Sequence, residues 1–405
     1  MKRVLLSAYA CEPKKGSEPA VGWNTALSIS SFVETWVITR LNNKTTIEEE
    51  LSENPNDNLH FLYFDFPWWF RWWKKGNFGI YLYYYLWQIG IYFKLQKIIK
   101  EKNFDIVHHI TFANYYKPSF LSFYGIPFIW GPVGGGETAP FSFWCGFGLR
   151  GFIFEAFREI YRFLSEKDPF LLLTSRKCSI AFASSEQTAE RLSKIGVDRV
   201  NVFNQVSLSR RDYDCIQRGV KRKHSKFVFI SIGRLLHWKG FHLGIRAFSK
   251  LVFKNCEYWI VGDGPQRKNL QKLVDSLGLN ELVTFFGEQA HEKTMDLLQS
   301  ANVLVHPSLH DSGGWVVVES LACGNPVICL NLGGPSIIVN DTCSFKIEPD
   351  NEICVIEKIA DSMFTLSSDK ALYAEMSRDS KIWVKKNLIS EVKYDTFKDI
   401  YGYFI

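Results

Sequence analysis

One unit recurs along this chain: a short apolar run, a glycine-bearing loop, then a segment with helical spacing of apolar residues. Val4 to Ala8 leads into E-P-K-K-G-S-E-P-A-V-G-W-N and a helical pattern over Trp23 to Phe32. Lys226 to Ile232 leads into Gly233-Arg234-Leu235-Leu236-His237-Trp238-Lys239-Gly240 and a helical pattern over Phe241 to Val252. Strands that are apolar throughout need cover on both faces, and strands alternating with helices obtain it by forming a parallel sheet between helical layers. In such sheets the loops at the carboxyl ends of the strands line the ligand crevice. The chain is therefore expected to be α/β, with two Rossmann-like, doubly wound domains.

Further strands are expected at Thr35 to Thr39, Leu59 to Phe64, Phe104 to Ile110, Pro127 to Trp130 and Cys178 to Ser184, the last strand of the first half. The second series continues with Tyr258 to Val261, Val283 to Phe286, Asn302 to Val305 and Pro326 to Leu330. Helices are expected at Gln187 to Ile195, Asn351 to Leu366 and Ala371 to Leu388. After Val202 the pattern loosens into a charged connector containing Asp212-Tyr213-Asp214, which has the shape of a metal-binding D-x-D but lacks a preceding strand. The expected domains are 1–205 and 206–388, with a segment 389–405 whose aromatic tail crosses back onto the first half.

With 405 residues there is ample core for two or three domains. The net charge of +6 suits an acidic ligand or an anionic membrane surface, and is too small and dispersed to argue for nucleic acid. Nine cysteines without a C-x-x-C pair imply neither a disulfide framework nor a zinc site, and fit a reduced, cytoplasmic setting. The apolar run in M-K-R-V-L-L-S-A-Y-A-C sits at the lower limit for a signal peptide and reads instead as the first strand.

Residues 61 to 93 hold 17 aromatic side chains in 33 positions. Gly76 to Phe93 is uncharged, but Gln88, three glycines and five tyrosines argue against a membrane span, since their polar groups would need partners in hydrocarbon. One reading is a long helix packing Phe78, Tyr81, Leu82, Tyr85, Ile89 and Tyr92 on its own domain. The other is an aromatic and basic surface, with Arg71, Lys74, Lys75, Lys94, Lys97 and Lys100, lying in a membrane interface. Phe141 to Leu164, with Trp144, Phe147, Phe152, Phe154, Phe157, Phe163, Arg150, Arg158 and Arg162, is a second such candidate. Together they favour peripheral membrane contact.

The stretch Leu309 to Gly324, L-H-D-S-G-G-W-V-V-V-E-S-L-A-C-G, carries the most chemistry. A loop ending in Gly313-Gly314 and opening into a helix directs backbone N–H groups and the positive end of the helix dipole outward, which seats a phosphate. Glu319, one turn inside that helix, can accept two neighbouring hydroxyls of a ribose, and Asp311 sits before it, nearer whatever the phosphate carries. The plainer alternative is Asp311 as a helix cap and Glu319 as a solvated residue. Arg234 and Lys239, five apart in a βα loop, can both reach a diphosphate, the first by a two-pronged contact and the second as a point charge. Gly16 stands where backbone can approach a ligand, and of His108 and His109 at a strand end only one can face the crevice.

In order and spacing, G-R-x4-K-G, V-G-D-G-P, F-G-E, H-P-S-L, D-x7-E and A-C-G-N-P-V-I resemble the retaining family 4 glycosyltransferases of GT-B fold, over residues 226 to 339. S-A-Y-A-C-E-P-x-x-G-S-E-P-x-V-G-W-N and W-G-P-V-G-G-G-E look like a bacterial subgroup of that family. The resemblance implies two Rossmann-like domains facing each other across a cleft, the first on the acceptor side and the second binding the nucleotide sugar. It implies that Arg234 and Lys239 hold the donor diphosphate, that Glu319 binds the ribose, and that Gly313 and Gly314 offer amides to phosphate or sugar. Asp311 would contact the sugar, Gly16 would close over the phosphates, and His109, favoured over His108, would face the donor sugar. Gly233, Gly262, Glu288, Ser312 and Trp315 complete the implied donor-binding set. The first acid of the paired motif is usually glutamate in that family, so Asp311, with Ser312 and Trp315, bears on the choice of sugar.

The activity so implied is a metal-independent transfer in which no residue stands out as a covalent nucleophile, the nucleotide sugar is co-substrate and no cofactor is needed. The acceptor would be a lipid-linked or growing polysaccharide of the cell surface, such as lipopolysaccharide, and the protein cytoplasmic, resting on the inner face of the membrane. Alternatives are a GT-B-like sugar-nucleotide epimerase and a non-catalytic scaffold of a polysaccharide assembly system.

Overall fold

The computed structural model describes residues 2–74, 79–219, 224–251 and 255–404. The chain divides into two compact units, one of Met1–Gly136, Glu159–Gln205 and Ser390–Ile405, the other of Glu137–Arg158 and Val206–Ile389.

The first unit is built on seven parallel strands: β1 (Arg3–Ala8), β2 (Glu34–Thr39), β3 (Leu59–Tyr63), β4 (Ile106–Thr111), β5 (Phe128–Val133), β6 (Cys178–Ala183) and β7 (Val200–Val202). Their order is β3-β2-β1-β4-β5-β6-β7. Register places Val4 beside both Thr35 and Ile106. The second unit has β8 (Phe227–Ile232), β9 (Cys256–Val261), β10 (Val283–Gly287), β11 (Val303–His306), β12 (Val327–Leu330) and β13 (Ser344–Ile347). Their order is β10-β9-β8-β11-β12-β13, so the strand sequence reverses between β8 and β11 just as it does between β1 and β4. Both units thus have a doubly wound sheet with a switch point where loops from two neighbouring strands diverge. Central strands β1, β4, β8 and β11 are buried almost throughout, as the unalternating apolar runs require.

Several local expectations are corrected. The first helix spans Ser17–Ser30, beginning six residues earlier than the apolar pattern indicates, because Gly16 already serves as its N-cap. Two short strands, β7 and β13, have no counterpart in the apolar pattern; three or four residues with mixed polarity give little periodic signal. The charged connector contains the helix Arg210–Arg218, capped by Ser209, whose Oγ accepts from the Asp212 amide at 3.0 Å. Asp212 is thus a first-turn residue of a helix and Tyr213 is buried, an ordinary helical use of the D-x-D.

The aromatic stretch forms the helix Ile80–Lys102 packed on its own unit, where Tyr85, Ile89 and Tyr92 are half-buried as expected, but its most buried face is a different one. Tyr83, Tyr84, Trp87, Gln88, Ile91 and Leu95 are buried, whereas Tyr81 and Leu82 are exposed; Phe78 and Lys75 lie outside the described residues. The polar atoms that disguised this face have partners inside the first unit. Gln88 Nε2 donates to Tyr84 Oη at 2.9 Å, Tyr83 Oη donates to Asp65 at 2.5 Å, and Trp87 Nε1 donates to the Phe64 carbonyl at 2.8 Å. No helix among the described residues is long and apolar enough to cross a membrane.

Residues 390–404 form the helices Ser390–Tyr394 and Thr396–Phe404, whose Tyr394, Phe397 and Tyr401 are buried in the first unit. His108 anchors them: its Nδ1 lies 2.6 Å from Tyr401 Oη and its Nε2 2.6 Å from the Gly131 carbonyl.

Candidate active site

In the second unit the site residues lie on loops leaving the carboxyl ends of β8 to β12. Gly233 and Gly262, ending β8 and β9, have φ of 147° and 126°. A Cβ on Gly262 would stand 2.1 Å from the Gly233 carbonyl oxygen, so only glycine lets these loops run in contact. The Gly233 amide donates to Val261 at 3.0 Å, that of Gly262 to Gly287 at 2.7 Å, and that of Leu235 to Asp263 at 2.9 Å, extending the sheet's bonding into the loops. Gly240 (φ 67°) likewise comes so close to Pro307 that a Cβ would meet its carbonyl oxygen at 1.9 Å. That approach carries the 234–240 loop to the β11 loop.

There Lys239 Nζ donates to Asp311 Oδ2, and His306 Nε2, from the end of β11, lies 3.3 Å from the same oxygen. Burial favours the neutral acid, but the Lys239 charge, with the His306 imidazole close by, outweighs it and holds Asp311 well below the usual carboxylate range. His306 is pushed down by burial, with Asp311 opposing and Lys239 reinforcing the shift. The Asp311 backbone is fixed too: its carbonyl accepts from the Gly334 amide at 2.7 Å, and a Cβ on Gly333 would strike that carbonyl at 2.3 Å. The result is a neutralised, rigid ion pair. Arg234, by contrast, is exposed, and among the described residues no carboxylate forms an ion pair with it.

After Asp311, Gly314 (φ 119°) is the N-cap of the helix Trp315–Ala322. The Gly313 amide donates to Asp311 Oδ1 at 3.3 Å, and the helix's first turn leaves further N–H groups without intrahelical acceptors. Ser312 Oγ donates to Glu137 Oε2 at 2.5 Å. Glu319 is engaged rather than solvated: His291 Nε2 lies 2.9 Å from its Oε1, and that hydrogen bond raises the His291 pKa against a smaller lowering by burial. Glu288 is exposed, and Trp315 packs partly against the core.

The structure thus places Lys239, Asp311, Ser312, Gly313 and Gly314 with Gly233, Gly262 and Arg234 on the loops at one end of a single sheet, and Glu319 on the helix that opens from one of them. Gly16 and His109 belong to the first unit. Gly16 is exposed, with open space where a Cβ would stand. His109 is buried with its Nε2 3.3 Å from Tyr84 Oη; burial first, then the neighbouring His108, push its pKa down to about 3. His108, lowered to about 4 by burial, faces the opposite side of β4 and holds Tyr401.

Four contributors lie outside the set expected from the sequence: His306, His291, Glu137 and Glu155. Glu155 is fully buried in the second unit, with Arg158 at 2.9 Å, His237 at 3.0 Å and His310 at 3.4 Å. Burial would raise its pKa, but hydrogen bonds from His237 and His310 lower it well below the normal range. It ties the 234–240 loop to the residue preceding Asp311. Trp238 stacks on His310 with centroids 4.8 Å apart and on Phe154 at 5.3 Å, completing the clamp. Glu137 is visible only as the last letter of W-G-P-V-G-G-G-E, and nothing local in the sequence indicates that Glu155 meets loops about 80 and 155 residues away.

Two doubly wound units, the second with a cationic loop and a glycine-opened helix at its switch point, define the GT-B fold. Residues 214–383 match the family model described as "Glycosyl transferases group 1". The lipopolysaccharide core biosynthesis glycosyltransferase LpsE of Rhizobium meliloti is 33% identical over 154 residues, 38% of this chain and 44% of that protein. The phosphatidylinositol N-acetylglucosaminyltransferase GPI3 subunit of Saccharomyces cerevisiae is 33% identical over 128 residues, 30% of this chain and 28% of that protein. The chain thus spans less than half the length of these curated relatives. The crystal structure of Anabaena Alr3699/HepE in complex with UDP superposes with a TM-score of 0.62 at 16% identity, covering 100% of both chains.

Proposed function

We propose that the protein is a retaining glycosyltransferase that moves a hexosyl group from a nucleoside-diphosphate sugar to a lipid-linked or growing polysaccharide acceptor in surface glycan synthesis. The observation that carries this reading is the Lys239–Asp311–His306 cluster set directly before a glycine-opened helix, with an exposed Arg234 on the same loop as Lys239. Departure of a nucleoside diphosphate builds negative charge on its terminal phosphate. A fixed lysine, an arginine free to make a two-pronged contact and a helix N-terminus are preorganised to stabilise that charge, and this supports transfer without a divalent metal.

In this reading the bond between the anomeric carbon and the diphosphate oxygen breaks, and the acceptor oxygen bonds to the same face of that carbon. The acceptor's proton passes to the departing phosphate oxygen, so no enzyme nucleophile is consumed. Arg234 and Lys239 hold the diphosphate, the Gly313 to Trp315 amides face phosphate or sugar, Asp311 orients the sugar, and Glu319 takes the ribose after releasing His291. His109 and Gly16 are assigned to the same donor on the family resemblance. The UDP bound by the Anabaena protein and the lipopolysaccharide role named for LpsE support the donor class and acceptor class respectively. The reading puts the protein in the cytoplasm, peripheral to the inner face of the membrane. Incubation with radiolabelled UDP-, GDP- and ADP-sugars and a membrane extract, in EDTA, should yield a labelled glycolipid with the donor's anomeric configuration. Transfer with inversion, or interconversion of the donor sugar in place, would overturn it.

A further inference from the structure

The helix Gly148–Ser165 has its polarity reversed. Two of its charged residues, Glu155 and Arg162, are 0% and 1% exposed, while Leu149, Phe157 and Leu164 are 76%, 68% and 62% exposed. With 3.6 residues per turn, Leu149, Ile153, Phe157, Ile160 and Leu164 fall on one stripe, and all five face outward. The inward charges are individually matched. Glu155 is held by His237, His310 and Arg158, and Arg162 donates to Glu159 at 2.6 Å, which Arg191 also reaches at 2.7 Å. Desolvating these groups is costly, and turning the helix over would hide the apolar stripe and return the charges to water. The orientation observed therefore opposes both tendencies, which makes sense where the outer medium is not water alone.

The chemistry around the stripe selects the medium. Both helix acids that could repel an anionic surface, Glu155 and Glu159, are turned toward the protein in ion pairs, and the exposed positions of the helix carry Arg150 and no acid. Lys167, just beyond its end, lies over the Phe163 ring at 5.3 Å. In the first unit Tyr161 meets Tyr81 at 6.3 Å and accepts from Lys117 Nζ at 2.6 Å. Apolar residues flanked by Tyr, Lys and Arg match the boundary between acyl chains and anionic headgroups. We propose that the outer face of the helix Gly148–Ser165 is the docking element of this protein for an anionic bilayer, inserting Leu149, Ile153, Phe157, Ile160 and Leu164. The proposal rests on the glycosyltransferase reading only in giving the membrane-borne acceptor as the reason for docking; the surface itself is argued from the helix.

The test is flotation of the full chain with phosphatidylcholine vesicles containing or lacking about a third phosphatidylglycerol, comparing wild type with Phe157→Glu/Leu164→Glu. Both residues are exposed, so the variant should melt at the wild-type temperature. Wild type should float with the anionic vesicles and at least tenfold less with neutral ones, and the variant should lose at least tenfold of the anionic binding while keeping its thermal shift with nucleotides. A variant that floats as well as wild type would overturn the assignment to this helix while leaving peripheral membrane association standing. Wild type that stays in the soluble fraction would overturn both. A concentration-dependent dimer in sedimentation that the variant abolishes would overturn it in favour of a second copy covering the stripe.

Discussion

Asp311 Oδ2 is shared between Lys239 Nζ, which donates to it, and His306 Nε2, 3.3 Å away. Removing Lys239 leaves a carboxylate facing the place where a leaving phosphate would develop charge. Lys239→Ala should therefore lower kcat by about 100- to 1000-fold, the usual cost of losing one preorganised stabiliser. Asp311→Ala leaves the largely buried Lys239 ammonium without its acceptor and should lower stability by about 2 kcal/mol, read from urea unfolding. A Lys239→Ala enzyme with wild-type kcat would separate this ion pair from the chemistry.

Glu319 and His291 give a pH dependence with a definite sign. The His291 pKa is raised by its hydrogen bond to Glu319, with further support from the charges of Glu319, Asp212 and Glu292. The contribution of this pair to folding is present below the unfolded histidine pKa of about 6.5 and is lost as pH rises through the higher folded value. A ribose that takes Glu319 must displace that contact. Donor affinity should accordingly rise from pH 6 to pH 8, and His291→Ala should flatten the trend. Isothermal titration of the donor across this range checks it; a wild-type affinity that falls with rising pH contradicts it.

His108 and His109 are both buried neutral, with pKa values lowered to about 4 and about 3, chiefly by burial. For a depressed histidine the unfolded chain gains the proton first. Stability is therefore lost as pH falls below about 6.5 and continues to fall until the folded values are reached. His108→Ala also removes the contact to Tyr401, and should expose residues 390–404 to proteolysis. His109→Ala should leave that segment protected while reducing transfer, a split readable by limited proteolysis beside an activity assay.

What is legible in the sequence follows from which interactions are local. The βα rhythm encodes each parallel strand in a few adjacent residues, so β8 and β9 and the helix opening at Gly314 can be placed from pattern alone. The helix Ile80–Lys102 is recognisable, yet its buried face is not, because Gln88 and the tyrosine hydroxyls are satisfied by Asp65 and the Phe120 amide, partners brought up by the fold. The helix Gly148–Ser165 defeats the pattern outright, since it buries charge and exposes leucine and phenylalanine. Likewise Lys239 and Asp311 can each be nominated, but not their mutual ion pair, which depends on Gly240 passing Pro307 at a distance that admits no side chain.

The central claim is that the second unit grips a nucleoside diphosphate through Arg234, Lys239 and the helix opened by Gly313 and Gly314. Calorimetric titration of the purified chain with UDP, GDP and ADP in EDTA tests it most directly. At least one nucleotide should bind, at least tenfold more weakly to Arg234→Ala and to Lys239→Ala, with Arg234→Ala retaining the wild-type melting profile and Lys239→Ala still folded by circular dichroism at the titration temperature though melting lower. Binding that is absent for all three nucleotides, or unchanged by both substitutions, would contradict the account.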